Sequence, residues 1–141
     1  MKAFYILIVL VALSSSAFAL IGENQQQIEN RYGKPMAVSN NPGNYHRITY
    51  FYRGFMVLVD FVDGISWVEM FVLPEKGSLT EDDIKQILLF SCEKDETWRN
   101  LPPLRNGDRR WQRSDDRALA HYPTQANFVS VQDVHSFVGS K

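Results

Sequence analysis

The sequence predicts an α+β domain: an antiparallel sheet, made of a three-stranded meander plus a second hairpin, with two helices packed on one face. Three observations predict it. Residues 45–73 are dense in aromatic and β-branched side chains and are divided by two turn signals. Two segments, residues 22–35 and 79–92, carry apolar residues at helical spacing between recognisable start or stop residues. Further strand-like runs at Arg109–Arg113, Ala118–Tyr122 and residues 128–132 follow the second helix.

In chain order, residues 1–19 read as a signal peptide. Lys2 supplies a positive end, residues 3–13 are an unbroken apolar run, and the small-residue stretch through Ala17, Phe18 and Ala19 predicts cleavage near Ala19. The apolar run is shorter than the roughly 20 residues that span a bilayer, and no second long run follows, so no stable membrane span is expected in the mature chain. Residues 20–141 are expected to form a single α+β domain, periplasmic or secreted. Leu20, where a bacterial lipoprotein would carry cysteine, argues against a lipid anchor. The remaining 122 residues hold 14 basic and 16 acidic side chains, a formal charge of −2. That balance excludes a dedicated nucleic-acid binder, and an aromatic content of 13% excludes a disordered tail. Cys92 is the only cysteine, so no intramolecular disulfide is expected. It reads as a small apolar residue at the end of a helix, the other reading being an intermolecular disulfide or a reactive thiol.

The first helix is expected within residues 22–35, with Glu23 near its favourable N-terminal end and Ile28 and Tyr32 four apart on one face. Gly33 suits a left-handed cap and Pro35 prevents continuation. Residues 39–44 read as a loop. Arg53-Gly54 then separates strands Tyr45–Tyr52 and Phe55–Val62, and Asp63-Gly64, a type I′ signature, precedes a strand over residues 65–73. Phe55, Val57, Val59 and Phe61 share one face of the middle strand, while Met56, Leu58, Asp60 and Val62 share the other. The strand is therefore apolar on both sides, which places it centrally. In the next strand Ile65, Trp67, Glu69, Phe71 and Leu73 are expected to alternate with Ser66, Val68, Met70 and Val72.

The second helix has Thr80 as N-cap, Asp83 at the third helical position, and Leu79 with Ile84 as a hydrophobic staple. Ile84, Ile87, Leu88 and Cys92 form its apolar stripe. A charged loop over residues 93–96 follows, and Pro102-Pro103 prevents regular structure before the second hairpin. Residues 134–138 read as a helical turn or frayed tail. The order of helix, strands, helix, strands hints at a degenerate tandem repeat.

The candidate chemistry is sparse. His46, His121 and His135 lie at no metal-ligand spacing, and no phosphate loop, dinucleotide fingerprint or nucleophile elbow occurs, so no metal, cofactor or catalytic residue is expected. A Cys92 and His121 nucleophile pair has no local support. Asp60, Asp63 and Glu69 lie close in a hairpin as a paired-carboxylate site would require, yet Asp63 is explained by its turn. Asp60 and Glu69, on faces that look buried, would each need a partner such as an arginine. Arg105, Arg109, Arg110, Arg113 and Arg117 bracket Trp111, with Arg109, Trp111 and Arg113 on one strand face. They read either as an anion-binding surface or as a hairpin whose charges offset Asp108, Asp115 and Asp116 while Trp111 caps the core. Tyr45, Tyr50, Phe51 and Tyr52 are protein-contact anchors if their strand lies at an edge and partly core if it lies inside.

The residues Gly22, Ile28 and Tyr32-Gly33-Lys34-Pro35, followed by a loop and the aromatic meander with Phe61-Val62-Asp63-Gly64-Ile65, resemble the BamE-like (SmpA/OmlA) domain, a unit that occurs doubled in the β-lactamase inhibitor proteins (BLIP). The likeness covers residues 22–73. It departs at Leu20 and in lacking a second helix before the sheet. The resemblance implies a small envelope protein that holds other proteins and has no catalytic residues to carry over. The expected function is thus an exported, non-catalytic protein-binding or envelope-associated module whose partner is an envelope or secreted protein, with Tyr50, Tyr52 and Trp111 as contact residues. The alternative is a small anionic-ligand or glycan-binding protein, or a weak hydrolase, using Arg109, Arg113 and Trp111. An uncovered edge strand would also allow a homodimer.

Overall fold

A computed structural model describes residues 21–40 and 43–134 of the chain. The expected leader, Asn41 and Pro42 of the expected loop, and the tail beyond Val134 with His135 lie outside the described residues. The elements run α1 (Gln25–Tyr32), β1 (Ala37–Asn40), β2 (Tyr45–Tyr52), β3 (Phe55–Val62), β4 (Ile65–Val72), α2 (Glu81–Phe90), β5 (Trp98–Leu101), β6 (Arg109–Arg113), β7 (Ala118–Tyr122) and β8 (Phe128–Asp133). The strands form one antiparallel sheet in the order β1-β2-β3-β4-β8-β7-β6-β5. Each half is one helix followed by four strands, and the sheet order reads the same outward from the β4–β8 seam.

The helices begin as local chemistry dictates. Thr80 accepts from the Asp83 N–H at 3.2 Å and Asp83 Oδ2 accepts from the Thr80 N–H at 2.8 Å, a reciprocal box that satisfies two orphan helix donors. In α1 the cap is Asn24, whose side chain accepts from the Gln27 N–H while Gln27 returns the bond, each at 3.0 Å. Glu23, expected at the helix end, instead turns inward. Gly33 has positive φ (87°), as expected, but its ψ of −157° lies outside the left-handed helical region.

Both tight turns form with positive φ at their two central residues: Arg53 and Gly54 at φ 49° and 91°, Asp63 and Gly64 at 52° and 78°. Two strands correct the expected three-stranded meander. Ser39 and Asn40, read as loop, belong to β1, and this strand pairs with residues 46–49 of β2, which makes β2 internal. Trp98–Leu101, unassigned in the sequence, forms β5 against β6. A bulge between Asp60 and Phe61 pairs them with Val68 and Ser66, leaving Trp67 as the extra residue. Below the bulge the expected alternation is reversed: Ser66 is buried with Glu69 and Phe71, and Ile65 is exposed.

Both helices cover one face. Tyr32 of α1 packs its ring on Tyr50, Tyr52 and Phe71, and Phe90 of α2 packs on Tyr52 and Phe55. Beneath them Ile48, Val57, Val59, Phe61, Phe71, Val129, Val131 and Ala120 are fully buried, and this layer is the core.

Candidate functional site

The expected contact residues fall on the covered face. Tyr50 is fully buried because β1 and α1 enclose β2, and Trp111 is 4% exposed beneath α2. Arg113 is 2% exposed. It donates to both oxygens of Asp115 at 3.0 and 2.7 Å, to the Ser91 carbonyl at 3.4 Å, and pairs with Glu96 at 3.3 Å. Tyr52 is partly buried in the aromatic cluster, with Arg53 over its ring. Arg109 lies over the Trp111 indole at 4.9 Å from the ring centroid and donates to Glu81 at 2.5 Å. Arg109, Trp111 and Arg113 do share a face, as expected. Burial removes Tyr50, Trp111 and Arg113 from any free surface, and both guanidinium groups already hold carboxylates.

The same face carries a buried ionic cluster. Glu69 on β4 is fully buried; the Tyr32 hydroxyl donates to its Oε2 at 2.7 Å and Arg31 to its Oε1 at 3.3 Å. Arg31 also pairs with Glu23. Glu23 sits beside Ser66 through the Gly22 N–H to Ser66 carbonyl and Ser66 N–H to Glu23 carbonyl bonds, each at 2.8 Å. Burial pushes the Glu69 carboxyl up to about 7; Arg31 and the Tyr32 hydrogen bond restrain the rise, and Glu23 adds to it. Tyr50 is pushed up to about 12 by burial and by Glu29 and Glu69. In the second half, burial works against the Asp115 carboxylate but the Arg113 hydrogen bonds prevail and hold it at about 2.

The opposite face is open. Side chains alternate along a strand, so the residues between the core positions point away from the helices. Leu58 of β3 sits beside Met70 of β4, with Met56 beside Val72 and Val72 beside Phe128 in the next row. These residues and Val68 are all partly exposed, and Phe51 next to Met56 is 60% exposed. Polar pairs bound the patch. On one side Arg47 donates to both Asp60 oxygens at 2.5 and 2.8 Å, and on the other His121 Nε2 lies 2.9 Å from Asp108 Oδ2. No described element packs over this face. The signal for it in the sequence was β3, apolar on both sides, which indicated a central strand and did not separate a covered face from an open one.

The remaining chemistry disperses. Asp60 and Glu69 occupy opposite faces, each with the arginine partner its burial requires, and Asp63 bonds Asn44 in the turn. Cys92 follows α2 on the covered side while His121 lies on the open face, so the two do not meet. Burial, together with Glu96, pushes the Cys92 thiol up to about 11. Among the described residues no group of three or more His, Cys, Asp or Glu side chains could hold a metal ion, and no helix is long and apolar enough to cross a membrane.

Over the described residues the architecture is α+β, with two helices on one face of an eight-stranded antiparallel sheet. No family model and no curated protein matches the chain. Among solved structures it is similar to an extracellular protein containing a SCP domain from Bacillus anthracis str. Ames, at 12% identity and a TM-score of 0.46, over 88% of this chain and 48% of that one. The chain thus spans about half the length of that structure.

Proposed function

We propose that this chain is an exported, non-catalytic protein-binding module that holds an envelope or secreted partner against the open face of its sheet. The observation that carries this reading is the patch of Met56, Leu58, Val68, Met70, Val72 and Phe128, bounded by the Arg47–Asp60 and His121–Asp108 pairs. An apolar centre with a polar rim, enriched in methionine and aromatic residues, is the anatomy of protein interfaces. The leader-like residues 1–19 and the resemblance of residues 22–73 to the BamE-like family support an envelope role. The repeated order of one helix and four strands fits the doubled arrangement of the BLIP family. An anion at Arg109 and Arg113 would have to displace Glu81 or Asp115, which weakens the ligand-binding alternative.

The test is site-specific photocrosslinking in the native envelope. A crosslinking residue at Met70 should capture one protein reproducibly, the same group at exposed Lys94 should not, and Leu58→Glu should abolish the Met70 product. Equal capture from both positions, or none from Met70, would sink the reading.

A further inference from the structure

Among the described residues strand β5 has a partner on one side only, and its free edge runs beside an apolar groove. The Ser114 N–H donates to the Thr97 carbonyl at 2.8 Å, and the register then pairs Trp98 with Arg113, Arg99 with Gln112 and Asn100 with Trp111. In an antiparallel ladder bonded pairs alternate. Thr97, Arg99 and Leu101 therefore bond inward to β6, while the N–H and C=O groups of Trp98 and Asn100 face outward. Between this edge and α2 lies a groove of about 390 Å³ lined by Lys85, Leu88, Leu89, Cys92 and Trp98, with Glu96 and Thr97 also on its wall. Lys85 and the pair Leu88 and Leu89 are one helical turn apart along α2, and Cys92 follows its end. The Trp98 indole N–H donates to the Leu88 carbonyl at 2.7 Å, fixing strand to helix so that the groove exists before anything enters it. Leu89, on its wall, is 72% exposed.

We infer that this edge and groove form a second binding site, which takes an extended segment of a partner protein as a ninth strand with alternate apolar side chains in the groove. Outward backbone groups supply the main-chain bonds and the groove selects the side chains, the logic of strand addition. Charge adds a preference. The Glu96 carboxylate is held by the buried Arg113, whereas Lys85 and Arg99 make only exposed pairs, with Asp82 at 4.0 Å and Asp116 at 3.6 Å, and keep 73% and 67% of their side chains exposed; such surface pairs are weak, so acidic residues flanking the apolar segment fit.

A second copy of the chain fits poorly, because all three symmetric registers that use both Trp98 and Asn100 fail. Centred on Arg99, the pairing sets two guanidinium groups directly opposite each other, which is destabilising. Centred on Asn100, it sets Trp98 opposite Pro102, which has no N–H to donate. Centred on Trp98, it needs the Glu96 N–H, which already donates to the Glu93 carbonyl at 3.0 Å. The site lies on the helix side and the β5 edge of the sheet, so it is separable from the open-face reading.

The test is selection of a random dodecapeptide phage library on the intact protein, with counter-selection on the Asn100→Pro variant. Proline there removes one outward N–H and suits an edge strand; circular dichroism and cooperative unfolding verify that the variant folds. Selected peptides should alternate apolar residues, bind Leu89→Lys and Asn100→Pro at least about tenfold more weakly, and slow amide hydrogen exchange at Trp98 and Asn100. Leu58→Glu should leave their binding unchanged while abolishing the open-face crosslink, so either site can fail alone. An empty selection, peptides that bind Asn100→Pro as well as the parent, or a concentration-dependent dimer that Asn100→Pro dissolves would each overturn the proposal.

Discussion

Glu69 offers the sharpest test of the covered face. It is a fully buried carboxyl in a cluster where one arginine serves two acids. In the unfolded chain it ionises near 4.5, and in the fold burial moves it up to about 7. At about 1.4 kcal/mol for each tenfold change in proton affinity, the displacement is worth about 3 kcal/mol. The sign follows from proton counting. Between those two values the folded chain holds a proton that the unfolded chain has lost, so stability falls as pH rises through the window and levels off above it. Glu69→Gln cannot titrate, keeps an oxygen to accept from Tyr32, and leaves Arg31 matched one to one with Glu23. Urea unfolding followed by tryptophan fluorescence, from about pH 4.5 to about pH 8, should show the variant gaining about 3 kcal/mol on the parent across the range. Other titrating groups cancel in that difference. A constant difference between the two proteins would mean that Glu69 ionises in the fold as it does in water, and the account of the cluster would be wrong.

Two further outcomes follow from the covered face. Arg31→Met removes the guanidinium that Glu23 and the fully buried Glu69 share and should cost about 3–5 kcal/mol in the same unfolding measurement at neutral pH. Trp98→Phe keeps the ring against the core but deletes the 2.7 Å bond to the Leu88 carbonyl. It should cost about 1 kcal/mol, with faster amide exchange confined to the end of α2 and to β5.

What the sequence conveyed was chemistry that a residue carries by itself. Asp63-Gly64 announces a turn because both residues accept positive φ, and Arg53-Gly54 does so through its glycine, while Thr80 with Asp83 announces a helix start because the pair satisfies its own donors. β1 and β5 carry no such signal. Ala-Val-Ser-Asn and Trp-Arg-Asn-Leu are short and largely exposed, and they are strands only because β2 and β6 offer them an edge. The bulge at Trp67 shifts one residue and leaves composition untouched, so strict alternation puts Ser66 on the wrong face. The need for arginines beside Asp60 and Glu69 was legible from burial alone, but Arg47 is a cross-strand neighbour and Arg31 comes from a helix across the core. Arg109, Trp111 and Arg113 were rightly given one face. Which face the helices would cover depends on long-range packing, and that choice turned expected contact residues into core.

The two faces of the sheet divide their residue types in an unexpected way. The covered face holds Glu69, Ser66 and Arg113, each costly to bury and each partnered there. Across β3, β4 and the start of β8, the open face is lined by Leu58, Met56, Met70, Val68, Val72 and Phe128. If those side chains served folding alone, polar replacement would carry the cost of core truncation, about 2–5 kcal/mol each. Because they keep part of their surface in water and no described element covers them, Leu58→Thr and Met70→Thr should each cost less than about 1 kcal/mol, near the range of surface changes. Thermal unfolding of the purified variants measures this directly. Losses above about 2 kcal/mol would make the patch part of the free chain's own core. Small losses, joined to loss of the Met70 crosslink in Leu58→Thr, would mean that the apolar face stabilises a complex far more than it stabilises the chain alone.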